Sequence, residues 1–419
     1  MSGSKVIIAC HECDQLQREV AIPPGRVARC CRCGAALYRS AHKSIDRTLA
    51  LYLAAAVVFI IANVYPIVGL EVQGTRNETT LLGAAHTLWR QEMSAVAALV
   101  CFTTFIVPAT QLTVMLHLLL ALKLKEVPSG ITLIMRILQW VKPWAMVEVF
   151  MLGILVALVK LTHLAHVIPG IALWSFGVLT LLFAAAASSF DVRDVWDRLP
   201  KRKAGSIHGT PPTTVAYTLV SCHTCGLTSK AVPTRGVAHC PRCSAHLHFR
   251  KPHSVSRAWA LLIAAYIMYI PANLLPIMET GSLFGSQDDT IMSGVVYLWH
   301  SGSLDLALVV FIASVMVPLM KMIALTLLLV SVQRRSVWQP VQRTRLYRLV
   351  ELVGPWSMLD VYVVTILAAL VQIGSLATIK AGPAALAFGA VVVLTMFAAL
   401  QFDPRMIWDP LQKERTTHE

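Results

Sequence analysis

Eight apolar runs dominate the chain, near residues 47–69, 94–122, 144–163, 171–190, 256–278, 303–330, 355–374 and 383–402. Each approaches or exceeds the about 20 residues that a helix needs to cross about 30 Å of hydrocarbon. With 56% hydrophobic and only 14% charged residues among 419, the chain is too apolar for a soluble globular protein of this size. The runs therefore predict an α-helical integral membrane protein with eight transmembrane helices. The net charge of +14 does not point to nucleic acid, because Lys and Arg sit in short clusters between the apolar runs. There they set membrane orientation and meet anionic head groups.

The chain is written twice at a spacing of about 210 residues, as in membrane transporters made of two related halves. Cys10, Cys13, Cys30 and Cys33 return as Cys222, Cys225, Cys240 and Cys243. ANVYPI (Ala62 to Ile67) returns as ANLLPI (Ala272 to Ile277), Leu88-Trp89 as Leu298-Trp299, and Val107-Pro108 as Val317-Pro318. After a two-residue shift, Pro143-Trp144 matches Pro355-Trp356, Glu148 matches Asp360, Phe190-Asp191 matches Phe402-Asp403, and Trp196-Asp197 matches Trp408-Asp409.

Each half is a Cys module followed by four spans, so both modules face one compartment and the halves form a parallel repeat. The expected division is a first ribbon-like module at 1–44, a four-helix membrane domain at 45–190, a cytoplasmic linker at 191–217, a second module at 218–252, a second four-helix domain at 253–403 and a cytoplasmic tail at 404–419. Arg39, Lys43 and Arg47, then Lys123, Lys125, Arg136 and Lys142, then Arg193 to Lys203, and finally Arg334 to Arg348 place the modules and C-terminus in the cytoplasm. The loop from Glu279 to Thr290 on the other side has no Lys or Arg. No secretory leader pattern opens the chain, so the polar first 45 residues are expected to stay cytoplasmic. Trp89 and Trp299 suit the outer interface or packing equally.

The modules read C-x2-C-x16-C-x2-C and C-x2-C-x14-C-x2-C. Two Cys-x-x-Cys knuckles at this distance can bring four thiolates tetrahedrally onto one Zn²⁺, giving about two structural zinc ions per chain. Disulfides and redox-active pairs are the competing readings, and a cytoplasmic location argues against the first. Cys31 could compete as a ligand in the first module. His11, His223 and His239 read as surface residues, and Cys101 as a small buried hydrophobe. Gly34 and Gly226 sit where a knuckle must turn tightly.

An ionisable side chain within a span costs about 2.5 to 3.5 kcal/mol or more at the helix centre and needs a partner or a polar cavity. Lys321 is the clearest case, and its repeat counterpart is the uncharged Gln111. Asp360 and Asp403 are the expected compensating carboxylates, with a polar lipid group as the alternative. Glu148 and Asp191 mark the matching positions in the first half, where interfacial anchoring competes with a functional role. Asn63 with Pro66, and Asn273 with Pro276, predict a kink or hinge near the outer end of each first helix. No hydrolytic triad, phosphate loop or His-Glu-x-x-His motif is present.

Two four-cysteine ribbons, each followed by four spans with A-N-x-x-P-I in the first and P-W-S-M-x-D-V-Y (Pro355 to Tyr362; P-W-A-M-V-E-V-F in the first half) in the third, resemble the paraquat-inducible protein A family. The resemblance covers nearly the whole chain. It implies an inner-membrane protein of Gram-negative bacteria that handles lipid beside an MCE-domain protein whose tunnel bridges the periplasm. Two other classes stay open: a zinc- or redox-responsive stress protein, and a membrane enzyme acting on lipid through its buried carboxylates.

Overall fold

A computed structural model describes residues 7–23, 25–39, 44–72, 75–125, 130–162, 166–198, 218–231, 238–282, 285–300, 302, 304–370, 372–373 and 377–411. The expected linker beyond residue 198 and the tail beyond 411 lie outside the described residues. The first ribbon is a pair of antiparallel hairpins, β1 (Ile7–Ala9) with β2 (Leu16–Arg18) and β3 (Val27–Arg29) with β4 (Ala36–Arg39). Helix α1 (Ser44–Val64) leads to the hairpin β5 (Val68–Val72) and β6 (Thr75–Thr79), then to the short α2 (Leu81–Arg90). The second span is α3 (Ser94–Cys101), a π-helical turn at Phe102–Ile106 and α4 (Val107–Lys123). The third is α5 (Ile131–Val141), a 3-10 turn and α6 (Val147–Thr162). Strand β7 (His166–Pro169) returns to β5, α7 (Ile171–Ser189) closes the half, and α8 (Val192–Arg198) follows.

The second half repeats this order of parts, with a 3-10 turn at Pro404–Ile407 in place of α8. Its ribbon pairs β8 (Thr218–Ser221) with β9 (Thr228–Ala231) and β10 (Ala238–His239) with β11 (His246–Leu247). After α9 (Ser254–Leu274) come β12 (Met278–Ser282), β13 (Gly285–Asp289), α10 (Ile291–His300), α11 (Leu304–Phe311), a π-helical turn at Ile312–Met316 and α12 (Val317–Gln333). Then α13 (Pro340–Val353), a 3-10 break at Gly354–Met358 and α14 (Leu359–Leu370) form the seventh span. Strands β14 (Gln372–Ile373) and β15 (Ala377–Ala381) join β12, and α15 (Pro383–Gln401) is the last span. Among the described residues eight helices are long and apolar enough to cross a membrane.

The expected kink or hinge at Asn63-x-x-Pro66 is instead a stop. Helix α1 ends at Val64, and Pro66 lies in the turn into β5. Asn63 Nδ2 donates back to the Phe59 carbonyl at 2.8 Å, and Asn273 Nδ2 repeats this with Tyr269 at 2.8 Å. The Pro66 carbonyl accepts from Ala172 N at 3.2 Å, at the start of α7, and the Pro276 carbonyl accepts from Ala384 N at 3.1 Å. Each proline turn thus satisfies a free amide at the start of its half's last helix. The approach requires glycine: a Cβ on Gly170 would lie 2.1 Å from the Pro66 oxygen, and one on Gly382 2.2 Å from the Pro276 oxygen. Gly382→Ala is expected to cost about 1 to 3 kcal/mol through forced backbone displacement, read as a lower melting temperature in detergent. Melting at the wild-type temperature would refute this packing.

Pro108 and Pro318 occupy the second residue of α4 and α12, just after the π-helical turns. A proline lacks the amide for its i−4 carbonyl and crowds it, so the ladder widens one turn earlier in both halves. In the first half Thr103 and Thr104 hydroxyls donate to the Leu99 and Val100 carbonyls at 2.9 and 2.6 Å.

The halves meet across α6 and α14. Phe150 and Tyr362, which occupy equivalent repeat positions, touch edge to face with centroids 5.2 Å apart. Tyr362 lies so close over Gly153 that a Cβ there would sit 2.9 Å from its own. Its hydroxyl pairs with Thr103 Oγ1 at 2.9 Å. A pseudo-two-fold axis between equivalent residues is what a parallel repeat requires. The symmetry is incomplete: α14 also packs on α2 and α3, whereas Val295, Ala307 and Val310 of α10 and α11 form a small cluster of their own.

Candidate functional site

Each ribbon gathers its four sulfurs. Cys10 and Cys33 lie 3.5 Å apart, Cys13 and Cys30 3.6 Å, Cys222 and Cys243 3.4 Å, and Cys225 and Cys240 3.5 Å. Within each set all four sulfurs are buried and within 4.8 Å of one another, so either set could hold a metal ion. The knuckles close in the same way four times: the amides of Asp14, Gly34, Gly226 and Ser244 donate to the carbonyls of Cys10, Cys30, Cys222 and Cys240 at 2.8 to 2.9 Å. All four residues have positive φ. Glycine at two of these positions was legible as a turn requirement; Asp14 and Ser244 take the same conformation at a small steric cost. Cys31 is exposed and outside the first set, as are His11 and His239 with respect to their own sets.

The thiols do not ionise alike. Hydrogen bonding from Cys13 lowers Cys10 to about 5, and Cys225 lowers Cys222 to about 4. Desolvation pushes Cys33 and Cys243 up to about 12. Further thiolates in the same buried space need a cation to compensate them, which is the ordinary condition for a thiolate metal centre.

The ribbons are docked crosswise. The first packs on the second membrane half, sharing a core with Ala258, Leu262, Phe402 and Trp408. Glu12, between two of its cysteines, accepts from Arg348 of α13 at 2.5 to 2.9 Å, and the same guanidinium reaches the Cys33 carbonyl at 2.9 Å. Arg32 lies over the Trp408 ring, 4.3 Å from its centroid. Asp14 pairs with Arg250, which also holds Asp409 at 2.5 Å. The second ribbon meets the first half: Gln139 of α5 donates to the His223 and Thr224 carbonyls at 3.0 and 3.3 Å, and Arg242 lies 5.4 Å from the Trp196 centroid.

Asp403 and Arg405 stand at the crossing. Both are buried, and Asp403 holds the Arg405 guanidinium at 2.8 and 2.9 Å while also accepting from Lys251 N at 3.2 Å. From there Arg405 reaches Asp14 of the first ribbon at 3.7 Å and His223 Nε2 of the second at 3.2 Å. Burial alone would raise the Asp403 pKa, but Arg405 outweighs it and holds the carboxyl below its ordinary value. Burial likewise opposes ionisation of Glu12, and His11 and Arg348 more than reverse it. Both folded-state values are depressed, so the stability these carboxylates contribute is present above the ordinary range near pH 4. It is lost as pH falls through the lower folded-state values.

Lys321 is buried in α12 at 3% exposure, and its Nζ has no hydrogen-bond partner among the described residues. The ammonium lies against the 3-10 break, where a Cβ on Gly354 would be 3.7 Å away. The compensation expected from Asp403 is not made, because that carboxylate is committed to Arg405. Asp360 is buried in the first turn of α14, and it does not hydrogen-bond to Lys321. Gln111, at the repeat position of Lys321, donates to Tyr52 Oη at 3.3 Å. Glu148 is exposed in the first turn of α6, and Asp191 is half-buried just before α8. The structure thus gathers the eight cysteines, Asp403 and Arg405 at one end of the molecule and leaves Lys321 apart from them. Glu12, Asp14, Arg348 and Arg405 were not read as site residues from sequence. The one available clue was the acidic knuckle CHECD facing CHTCG in the repeat.

The model of the family described as Paraquat-inducible protein A (PqiA) matches residues 45–200 and 255–412, the two membrane halves. Over 98% of the chain and 97% of the relative, it is 34% identical to a protein of Escherichia coli (strain K12) named "Intermembrane transport protein PqiA". A second protein of that strain, "Lipophilic envelope-spanning tunnel protein A", is 31% identical over 96% of the chain and 90% of its own length. A "Probable intermembrane transport protein" of Haemophilus influenzae is 29% identical over 98% and 97%. No solved structure matches. With both membrane halves matched and relatives aligned from end to end, the chain belongs to the paraquat-inducible protein A family.

Proposed function

We propose that the chain is the inner-membrane component of an intermembrane lipid transport system, passing phospholipid or another lipid to or from a periplasmic MCE-domain tunnel protein and thereby supporting the envelope. The likeness over nearly the full length to proteins named for intermembrane transport carries this reading. Lys321 supports it from within the fold, because an ammonium inside a span with no hydrogen-bond partner among the described residues suits a phosphate or carboxylate head group. In this role the protein is a carrier and not an enzyme. Both ribbons and the C-terminus face the cytoplasm, on the side of the basic clusters.

Each ribbon holds one structural Zn²⁺. A tetrahedral centre with Zn–S near 2.3 Å places its sulfurs about 3.8 Å apart, close to the 3.4 to 3.6 Å between paired sulfurs here. With zinc in place the ribbons are rigid and brace each half against the other. A regulatory reading is favoured by one observation alone: both ribbons touch Arg405, so metal loss at either would disturb the same contact.

Mass spectrometry of the purified chain should find two Zn²⁺ and a copurified phospholipid, and crosslinking in native membranes should capture an MCE-domain protein. A chain free of lipid that captures no such protein would end the transport reading. Quantitative disulfides in protein kept under cytoplasmic redox conditions would end the zinc assignment.

A further inference from the structure

The hairpin of β10 and β11 in the second ribbon carries three exposed imidazoles on its outer side, His239, His246 and His248. His239 and His246 are cross-strand partners with ring centroids 4.6 Å apart, and His248 follows at 6.2 Å from His246. Residues two apart on an extended segment share a side, which is why His246 and His248 stay together. His239 Nδ1 lies 3.2 Å from the Ser244 carbonyl oxygen. A carbonyl accepts only, so Nδ1 carries a proton, and in the neutral ring Nε2 is the nitrogen with a lone pair for a metal. That second contact is the one that commonly orients a metal-ligating histidine. The first ribbon has the same strand pairing but Arg29, Ala36 and Tyr38 at the equivalent positions. The imidazoles are therefore not a requirement of the ribbon fold.

We propose that this face is a third, exchangeable transition-metal site, built from His239, His246 and His248 and separate from the two buried cysteine sets. Neutral imidazole suits Zn²⁺, Ni²⁺ and Cu²⁺, and a set without thiolate or carboxylate disfavours Mg²⁺ and Ca²⁺. The three rings follow one another along the hairpin without converging as they stand, and rotation of the exposed His246 and His248 toward the oriented His239 brings three nitrogens onto one ion. Such an ion exchanges with the compartment, because all three rings are exposed. The ions in the cysteine sets are sealed by burial. His239 directly precedes Cys240, so an ion at the exposed site would stiffen the strand that delivers a ligand to the buried one.

The test uses the full chain without a histidine tag, in detergent, with Ni²⁺ as the probe in equilibrium dialysis and with zinc and nickel counted together. One Ni²⁺ per chain in addition to two Zn²⁺ is expected. The His246→Ala/His248→Ala variant should bind Ni²⁺ about tenfold more weakly or worse while keeping both zinc ions. His11→Ala, on the other ribbon, should leave Ni²⁺ binding unchanged. Equal nickel binding by wild type and double variant would overturn the site, as would wild type that takes up no Ni²⁺ beyond zinc exchange. Should the double variant lose zinc, electron paramagnetic resonance of Cu²⁺ on the wild type decides: nitrogen hyperfine structure from imidazoles upholds the site, and its absence overturns it.

Discussion

Glu12→Lys should release the first ribbon from the second membrane half. The substitution removes an acceptor that Arg348 meets through two nitrogens, and it places a second cation against that guanidinium. Removing one partner of a buried pair costs about 3 to 5 kcal/mol, but Arg348 is 29% exposed, which screens part of this. A loss of about 2 to 3 kcal/mol remains, enough to lower the melting temperature and open the ribbon to protease. The reciprocal chain, Glu12→Lys with Arg348→Glu, should recover part of that loss, since it restores opposite charges across the same contact but not the Arg348 donor to the Cys33 carbonyl. Recovery matters more than the first loss, because a merely damaged zinc knuckle would not be repaired from α13. If the double variant is no better than the single one, the ribbon is not held by this pair.

The eight spans, the repeat and the two cysteine sets were legible because each writes a long or closely spaced pattern into the chain. An apolar run of about 20 residues is unmistakable, and four cysteines in two knuckles leave few other arrangements. The hairpins that follow α1 and α9 were not legible. Met278–Ser282 reads METGS and Gly285–Asp289 reads GSQDD, segments without the apolar alternation that announces a strand. They pair because the neighbouring Pro276 stops its helix and β15 offers an edge.

Other features depend on residues far apart in the chain. Glu12 and Arg348 are separated by 336 positions, and nothing local to either names the other. A repeat also invites the assumption that each ribbon sits on its own half alone, whereas Glu12 of the first reaches α13 and Gln139 of α5 reaches the second. The supposed tail from 404 is packed in its described part, with Arg405, Ile407 and Trp408 buried. Trp408-Asp409 repeating Trp196-Asp197 was the available hint, since a freely solvated tail has no reason to preserve a tryptophan.

Lys321→Met should abolish complementation of an envelope-permeability defect while leaving protein level and zinc content near wild type. At 3% exposure Nζ has no hydrogen-bond partner among the described residues. A charge in that place costs stability, so methionine, with a stem of similar length and no charge, should be neutral or stabilising by about 1 to 3 kcal/mol. Activity and stability are thus expected to move in opposite directions. A structural ion pair predicts the reverse, a destabilised Met variant, because removing the ammonium would strand its carboxylate. Lys321→Ala should fail in transport as well, with an added packing loss of about 2 kcal/mol or more from the vacated stem. Lys321→Arg separates charge from shape: the larger planar guanidinium must fit against Gly354, where even an added Cβ would lie 3.7 Å from the present ammonium, so partial activity is expected. Full complementation by Lys321→Met would show that the charge has no part in moving lipid. The residue would then be a long side chain filling the gap at the helix break.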